Sequence, residues 1–152
     1  MTAPRKTIIF FAADAPFFVS HRLNLVSGAL ADGYHVVVAS PPHAVAVAAI
    51  EASGAEWTPW TVRRGGMSVF GEARALLHAF SILRRTRPSV IHAIAIKPIL
   101  YAGIAAKFLH IPVVGAVSGL GYIYTGTGSG LKGVLRRAIN IVMRFGLNRR
   151  DV

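Results

Sequence analysis

The residues best suited to chemistry are basic or glycine-rich and cluster near predicted strand ends, where they suit the binding of anions. Ser20-His21-Arg22 falls in the second turn of a helix predicted from Pro16 to Ala31. Cations near a helix N-terminus oppose its macrodipole, at about 0.3–1 kcal/mol each when exposed. A bound anion relieves that conflict; otherwise Arg22 points to solvent and His21 packs. Lys97-Pro98 directly follows the fourth predicted strand, where the lysine either meets an anion or a sugar hydroxyl or stands solvated. Gly119-Leu120-Gly121-Tyr122 follows the fifth. Its glycines permit positive φ and close backbone approach to a ligand, although any tight turn uses them too. His92 lies inside a strand and reads as a buried, hydrogen-bonded histidine.

Other chemistries lack their residues. The turn after the first strand, Ala12-Ala13-Asp14-Ala15-Pro16, has no glycine to admit a pyrophosphate, which disfavours a nicotinamide or flavin site. Gly126-Thr127-Gly128-Ser129-Gly130-Leu131-Lys132 lacks the Gly-Lys-Ser/Thr ending of a phosphate loop and reads as a flexible connection. Six acids spread over the chain give two-carboxylate catalysis little material. The histidines are isolated and there is no cysteine, so no metal site is expected, and no cofactor.

The positioning scaffold is legible in the alternation of apolar runs. Strands are predicted at Thr7 to Ala12, Tyr34 to Ser40, Glu56 to Val62, Ser89 to Ile94 and Val113 to Ser118. Helices are predicted at Pro16 to Ala31, Pro42 to Ser53, Gly71 to Thr86, Pro98 to Leu109 and Leu131 to Leu147. The helix at 71–86 is expected to bury Ala73, Leu76, Leu77, Phe80 and Leu83. This rhythm predicts an α/β fold: a Rossmann-like, doubly wound parallel sheet with helices on both faces. Ligands of such sheets sit beyond the carboxyl ends of the strands, which selects Ala13 to Ser20, Ile96 to Pro98 and Ser118 to Tyr122.

With 152 residues and 53% of them apolar, one packed domain is expected. Mean hydropathy is +0.51, but the two long uncharged runs are broken by Pro41-Pro42 and by Pro112 with several glycines, so neither predicts a membrane span. The net charge of +11 is unevenly placed. The first 62 residues carry three basic and four acidic side chains; the other 90 carry fourteen basic side chains and only Glu72 and Asp151. That asymmetry suits an anionic partner, unless the basic face is simply solvated. In the last predicted helix, Lys132, Arg136, Arg137 and Arg144 lie opposite an apolar face. That pattern suits an anionic membrane surface, or a helix packed on the sheet with its arginines in water.

Several stretches, taken in order, resemble one family. Phe17-Phe18-Val19-Ser20-His21-Arg22-Leu23, Gly33-Tyr34-His35-Val36, Arg87-Pro88-Ser89-Val90-Ile91-His92, Lys97-Pro98-Ile99-Leu100-Tyr101 and Val117-Ser118-Gly119-Leu120-Gly121-Tyr122 are similar to the opening of family 4 GT-B glycosyltransferases of the lipopolysaccharide, capsule and O-antigen type. The loop Gly65-Gly66-Met67-Ser68-Val69 departs from the family, which often has Asn-Pro there.

The resemblance implies that residues 1–152 are a single Rossmann-like domain, the acceptor-side half of a GT-B enzyme whose C-terminal donor-binding domain is absent, and that the chain is inactive alone. It implies a retaining transfer from a nucleotide-sugar to a lipid-linked glycan, with the leaving phosphate helping to deprotonate the acceptor. Ser20, His21, Arg22, Lys97, Gly119, Gly121 and Tyr122 would bind substrate. The implied partners are the nucleotide-sugar, the lipid-linked acceptor, an anionic membrane surface and a separate C-terminal half. The implied location is cytoplasmic, peripheral to the inner face of the plasma membrane. Two other readings remain: a non-catalytic subunit recruiting a separate transferase to the membrane, and a basic nucleic-acid-binding domain, for which no helix-turn-helix, zinc finger or RNP-like stretch is present.

Overall fold

A computed structural model of the chain describes residues 5–62 and 69–117. Five strands, β1 (Thr7–Ala12), β2 (His35–Ser40), β3 (Glu56–Pro59), β4 (Val90–Ile94) and β5 (Val113–Ala116), alternate with four helices, α1 (Ala15–Ala31), α2 (Ala44–Ala52), α3 (Val69–Thr86) and α4 (Ile96–Leu109). The strands form one parallel sheet in the order β3-β2-β1-β4-β5. The predicted Rossmann-like architecture is therefore present, and its direction of winding reverses between β1 and β4. The last predicted helix, 131–147, lies outside the described residues.

Strand alternation divides the core in two. Phe10, Ala12, Val36, Val38 and Ile94 face one way and pack with Phe18 and Val26 of α1 and Ile50 of α2. Ile9, Phe11, Val37, Ile91 and Ala93 face the other way, under α3 and α4. Strands apolar on both faces are what a parallel sheet requires, because helices cover both sides.

Local chemistry sets the helix ends. Asp14 Oδ1 accepts from the Phe17 amide at 2.8 Å, capping α1 just before Pro16. Gly33, at φ +83°, turns the chain out of α1, and the Tyr34 amide returns to the Ala29 carbonyl. Trp60, fully buried just past β3, stands edge-on to Phe11 at 5.0 Å and donates its indole N–H to the Ala75 carbonyl at 3.1 Å. It fastens α3 to the sheet.

Three expectations need correction. β3 ends at Pro59, short of Val62, although the Trp60 amide still donates to the Ser40 carbonyl. α4 begins two residues before Pro98; a first-turn amide has no intrahelical partner to lose, so proline is tolerated there. α3 buries Ala75, Ala79, Ile82 and Leu83, whereas Leu77 is 69% exposed and Ala73 faces solvent. Of the expected stripe, Leu83 is fully buried and Leu76 and Phe80 pack against the core, so the inward face is rotated toward Ala75, Ala79 and Ile82, opposite Ala102, Ala105 and Ala106 of α4.

Candidate functional site

In a sheet that reverses its winding, the loops leaving the two central strands part and open a crevice. Here those strands are β1, followed by Ala13 and Asp14, and β4, followed by Ala95. Ala95 has φ +78° and ψ 164°, a region that glycine alone adopts freely, and no side chain caps α4 there. Its amide donates to the Ala116 carbonyl at 2.9 Å, which continues the β4–β5 ladder and holds the strained residue in place. Such strain costs about 1–3 kcal/mol. Ala95→Gly is expected to relieve it and, after glycine's extra chain entropy, to stabilise the fold by about 1 kcal/mol. Urea unfolding checks this; an unchanged or lower midpoint would count against strain at this turn.

The predicted residues divide between the two faces of the sheet. On the α1 side, Ser20 Oγ donates to the Pro16 and Phe17 carbonyls and lies 2.7 Å from His21 Nδ1. The His21 ring stacks on Phe17 at 4.3 Å, and both Ser20 and His21 are exposed. Arg22 turns inward instead: its Nε is buried and has no hydrogen-bond partner. On the opposite face, Lys97 lies inside the first turn of α4, not in a loop, and its Nζ meets Glu72 Oε1 of α3 at 2.7 Å. The chain therefore answers a cation at a helix N-terminus with its own carboxylate. Gly119, Gly121 and Tyr122, and the basic residues Lys132, Arg136, Arg137 and Arg144, lie outside the described residues.

Sequence reasoning missed Glu72, whose Oε2 is buried without a partner. One signal was available, since it is the lone acid between Glu56 and Asp151 in a strongly basic stretch. His92 is also corrected. It is half-buried, its ring 5.2 Å from that of Phe10, but its Nε2 has no hydrogen-bond partner. Burial, and then the nearby Arg22 charge, hold its pKa below the ordinary 6.5. The unfolded chain therefore takes up this proton at a higher pH than the folded one. The His92 contribution to stability is complete above pH 6.5 and declines as pH falls from there toward the folded pKa. Urea midpoints between pH 8 and pH 5 should fall less steeply in His92→Gln than in the parent; parallel curves would contradict the assignment.

Among the described residues, no group of three or more His, Cys, Asp or Glu could hold a metal ion, and no helix is long and apolar enough to cross a membrane.

Solved structures share this fold. MurG of Acinetobacter baumannii superposes with a TM-score of 0.61 at 15% identity, over 88% of this chain and 39% of its own. A glycosyltransferase of Rickettsia africae gives 0.65 at 11% identity, over 93% and 35%. The UDP-GlcNAc 2-epimerase of Neisseria meningitidis, solved bound to UDP-GlcNAc, gives 0.56 at 12% identity, over 91% and 39%. The chain thus spans well under half the length of these proteins. No curated protein matches it. The model of the family described as "Glycosyl transferase 4-like" matches residues 7–149, nearly the whole chain, and the protein belongs to that family.

Proposed function

We propose that this chain is the acceptor-side half of a retaining glycosyltransferase, which moves a sugar from a nucleotide-sugar to a lipid-linked glycan in surface polysaccharide synthesis. The observation that carries the reading is the family match over residues 7–149 on a sheet whose winding reverses between β1 and β4. A nucleotide-sugar is the apt donor, because the N. meningitidis epimerase with this fold holds UDP-GlcNAc.

In the reaction, the bond from the anomeric carbon to the donor phosphate breaks and a bond to the acceptor hydroxyl oxygen forms. The hydroxyl proton passes to the departing phosphate. The charge left on that diphosphate has to be met by oriented donors. The Gly119 and Gly121 backbone would approach the diphosphate, with Tyr122 beside it. Ser20, His21, Arg22 and Lys97 would serve the acceptor side, Lys97 through the carboxylate it holds. Most donor contacts would come from a second, donor-binding unit. Lys132, Arg136, Arg137 and Arg144 would keep the enzyme on an anionic cytoplasmic membrane face, at about 1 kcal/mol per well-placed cation.

The test is sugar transfer by this chain alone and with a donor-binding half supplied separately. No turnover alone and transfer on combination are expected. Turnover by the lone chain would overturn the division of labour, and continued inactivity of a stable complex would overturn the catalytic reading.

A further inference from the structure

Phe18 of α1 packs edge-on against Phe10 of β1, with ring centroids 5.5 Å apart. Arg22 lies one turn further along the same face of α1. Phe10 is in register with His92 of β4, and their rings are 5.2 Å apart. An arginine and a histidine are thereby brought together between α1 and the sheet, close enough for the charge of one to act on the other. Arg22 Nε and His92 Nε2 are both buried and without a hydrogen-bond partner. Among the described residues only Glu72 Oε2 shares that condition, and it lies on the other face.

A buried polar atom left unpaired is costly, more so when charged, so two such atoms on neighbouring elements suit an anionic acceptor between them. The chain has few acids to offer. Asp14 caps the start of α1 and Asp32 sits at its far end. Glu51 is exposed on α2, Glu56 meets His35 at 3.4 Å, and Glu72 holds Lys97. The register neighbours of His92 are apolar: Phe10 of β1 and Val114 of β5. Only Asp151 lies beyond the described residues.

We propose that Arg22 and His92 form a binding site for a phosphate group, which accepts hydrogen bonds from the guanidinium and from the imidazole Nε2–H. A guanidinium is always charged and presents a planar fork of donors suited to phosphate oxygens. The imidazole, neutral at pH 7, donates from Nε2 in one tautomer without adding a second positive charge to be buried. A bound dianion reverses the local field and favours the protonated ring. The site does not depend on the chain transferring sugar, and it gives His92 a role outside the sheet's packing.

The experiment is titration of the chain with inorganic phosphate, and separately with pyrophosphate, at constant ionic strength, following histidine side-chain nitrogen resonances by NMR. Loss of a signal in His92→Gln assigns His92; His43, which caps α2 through Nδ1, is the internal control. Saturable movement of the His92 signal, a rise in its pKa and at least tenfold weaker binding in Arg22→Gln are expected. Tighter binding of pyrophosphate than of phosphate assigns the site to a diphosphate, and equal binding assigns it to a single phosphate group. Arg22→Lys keeps the charge but not the fork, and is expected to retain only part of the affinity. Thermal unfolding of each variant confirms that it is folded. A His92 signal that does not move, that moves equally in Arg22→Gln, or that moves equally with chloride would overturn the proposal.

Discussion

Trp60→Ala is expected to cost about 3–5 kcal/mol, the range for emptying a fully buried aromatic site. Domains of this size have about 5–15 kcal/mol in total, so the substitution would remove from about a fifth to all of the stability. The reason is where Trp60 stands. It packs against Phe11 in the centre of the sheet and Tyr101 of α4, and it hydrogen-bonds the backbone of α3, so its loss loosens three elements at once. Trp60→Phe keeps most of the packing but gives up the bond to the Ala75 carbonyl, and should lose only about 1–2 kcal/mol. Urea unfolding followed by circular dichroism separates the two variants. Equal midpoints for them would mean that packing at this position matters little.

The second large effect is an asymmetry at Lys97 and Glu72. Their side chains are 29% and 28% exposed, so the pair is partly screened and worth less than the 3–5 kcal/mol lost when a fully buried pair is broken. Lys97→Met strips Glu72 of the cation on Oε1 while its Oε2 is already without a partner. We expect a loss of about 1–2 kcal/mol. Glu72→Gln, which removes the charge and keeps the shape, should cost less. The double variant should recover part of the loss, giving a coupling near 1 kcal/mol in a double-mutant cycle. Strict additivity would show that the two side chains act separately. A Lys97→Met protein of full stability that had lost ligand binding would show that the ammonium serves substrate directly.

The fold was legible because its signals are local. Apolar runs such as Ile9 to Ala12 and Val36 to Ala39 match strands covered on both sides, and Pro16, Gly33, Gly54 and Pro88 mark their ends chemically. The face of α3 was legible only in part: Leu76, Phe80 and Leu83 do meet the core, but hydrophobic periodicity weights bulky side chains and passed over Ala75 and Ala79, which face inward where helices approach closely. Nor was the true environment of Lys97. Its partner is 25 positions away on another element, and a proline that looked like a helix start stands inside the first turn. The candidate site was half legible. A cation in the second turn of a helix marked Arg22 and a strand-end position marked Lys97, but nothing local shows that His92 Nε2 lacks a partner, because that depends on what the neighbouring strand and α1 bring to it.

The pairing of β1 with β4 also has a consequence for synthesis. Ile8 lies opposite Val90 and Ala12 opposite Ile94, about 80 residues later in the chain. At about 5–20 residues per second, one edge of the central strand waits roughly 4–16 s at the ribosome before its partner is made. During that interval Ile9, Phe10 and Phe11 form part of an unpaired, strongly apolar strand, the kind of edge that recruits other chains. Slow translation before residue 94 should therefore lower soluble yield more than slow translation after it.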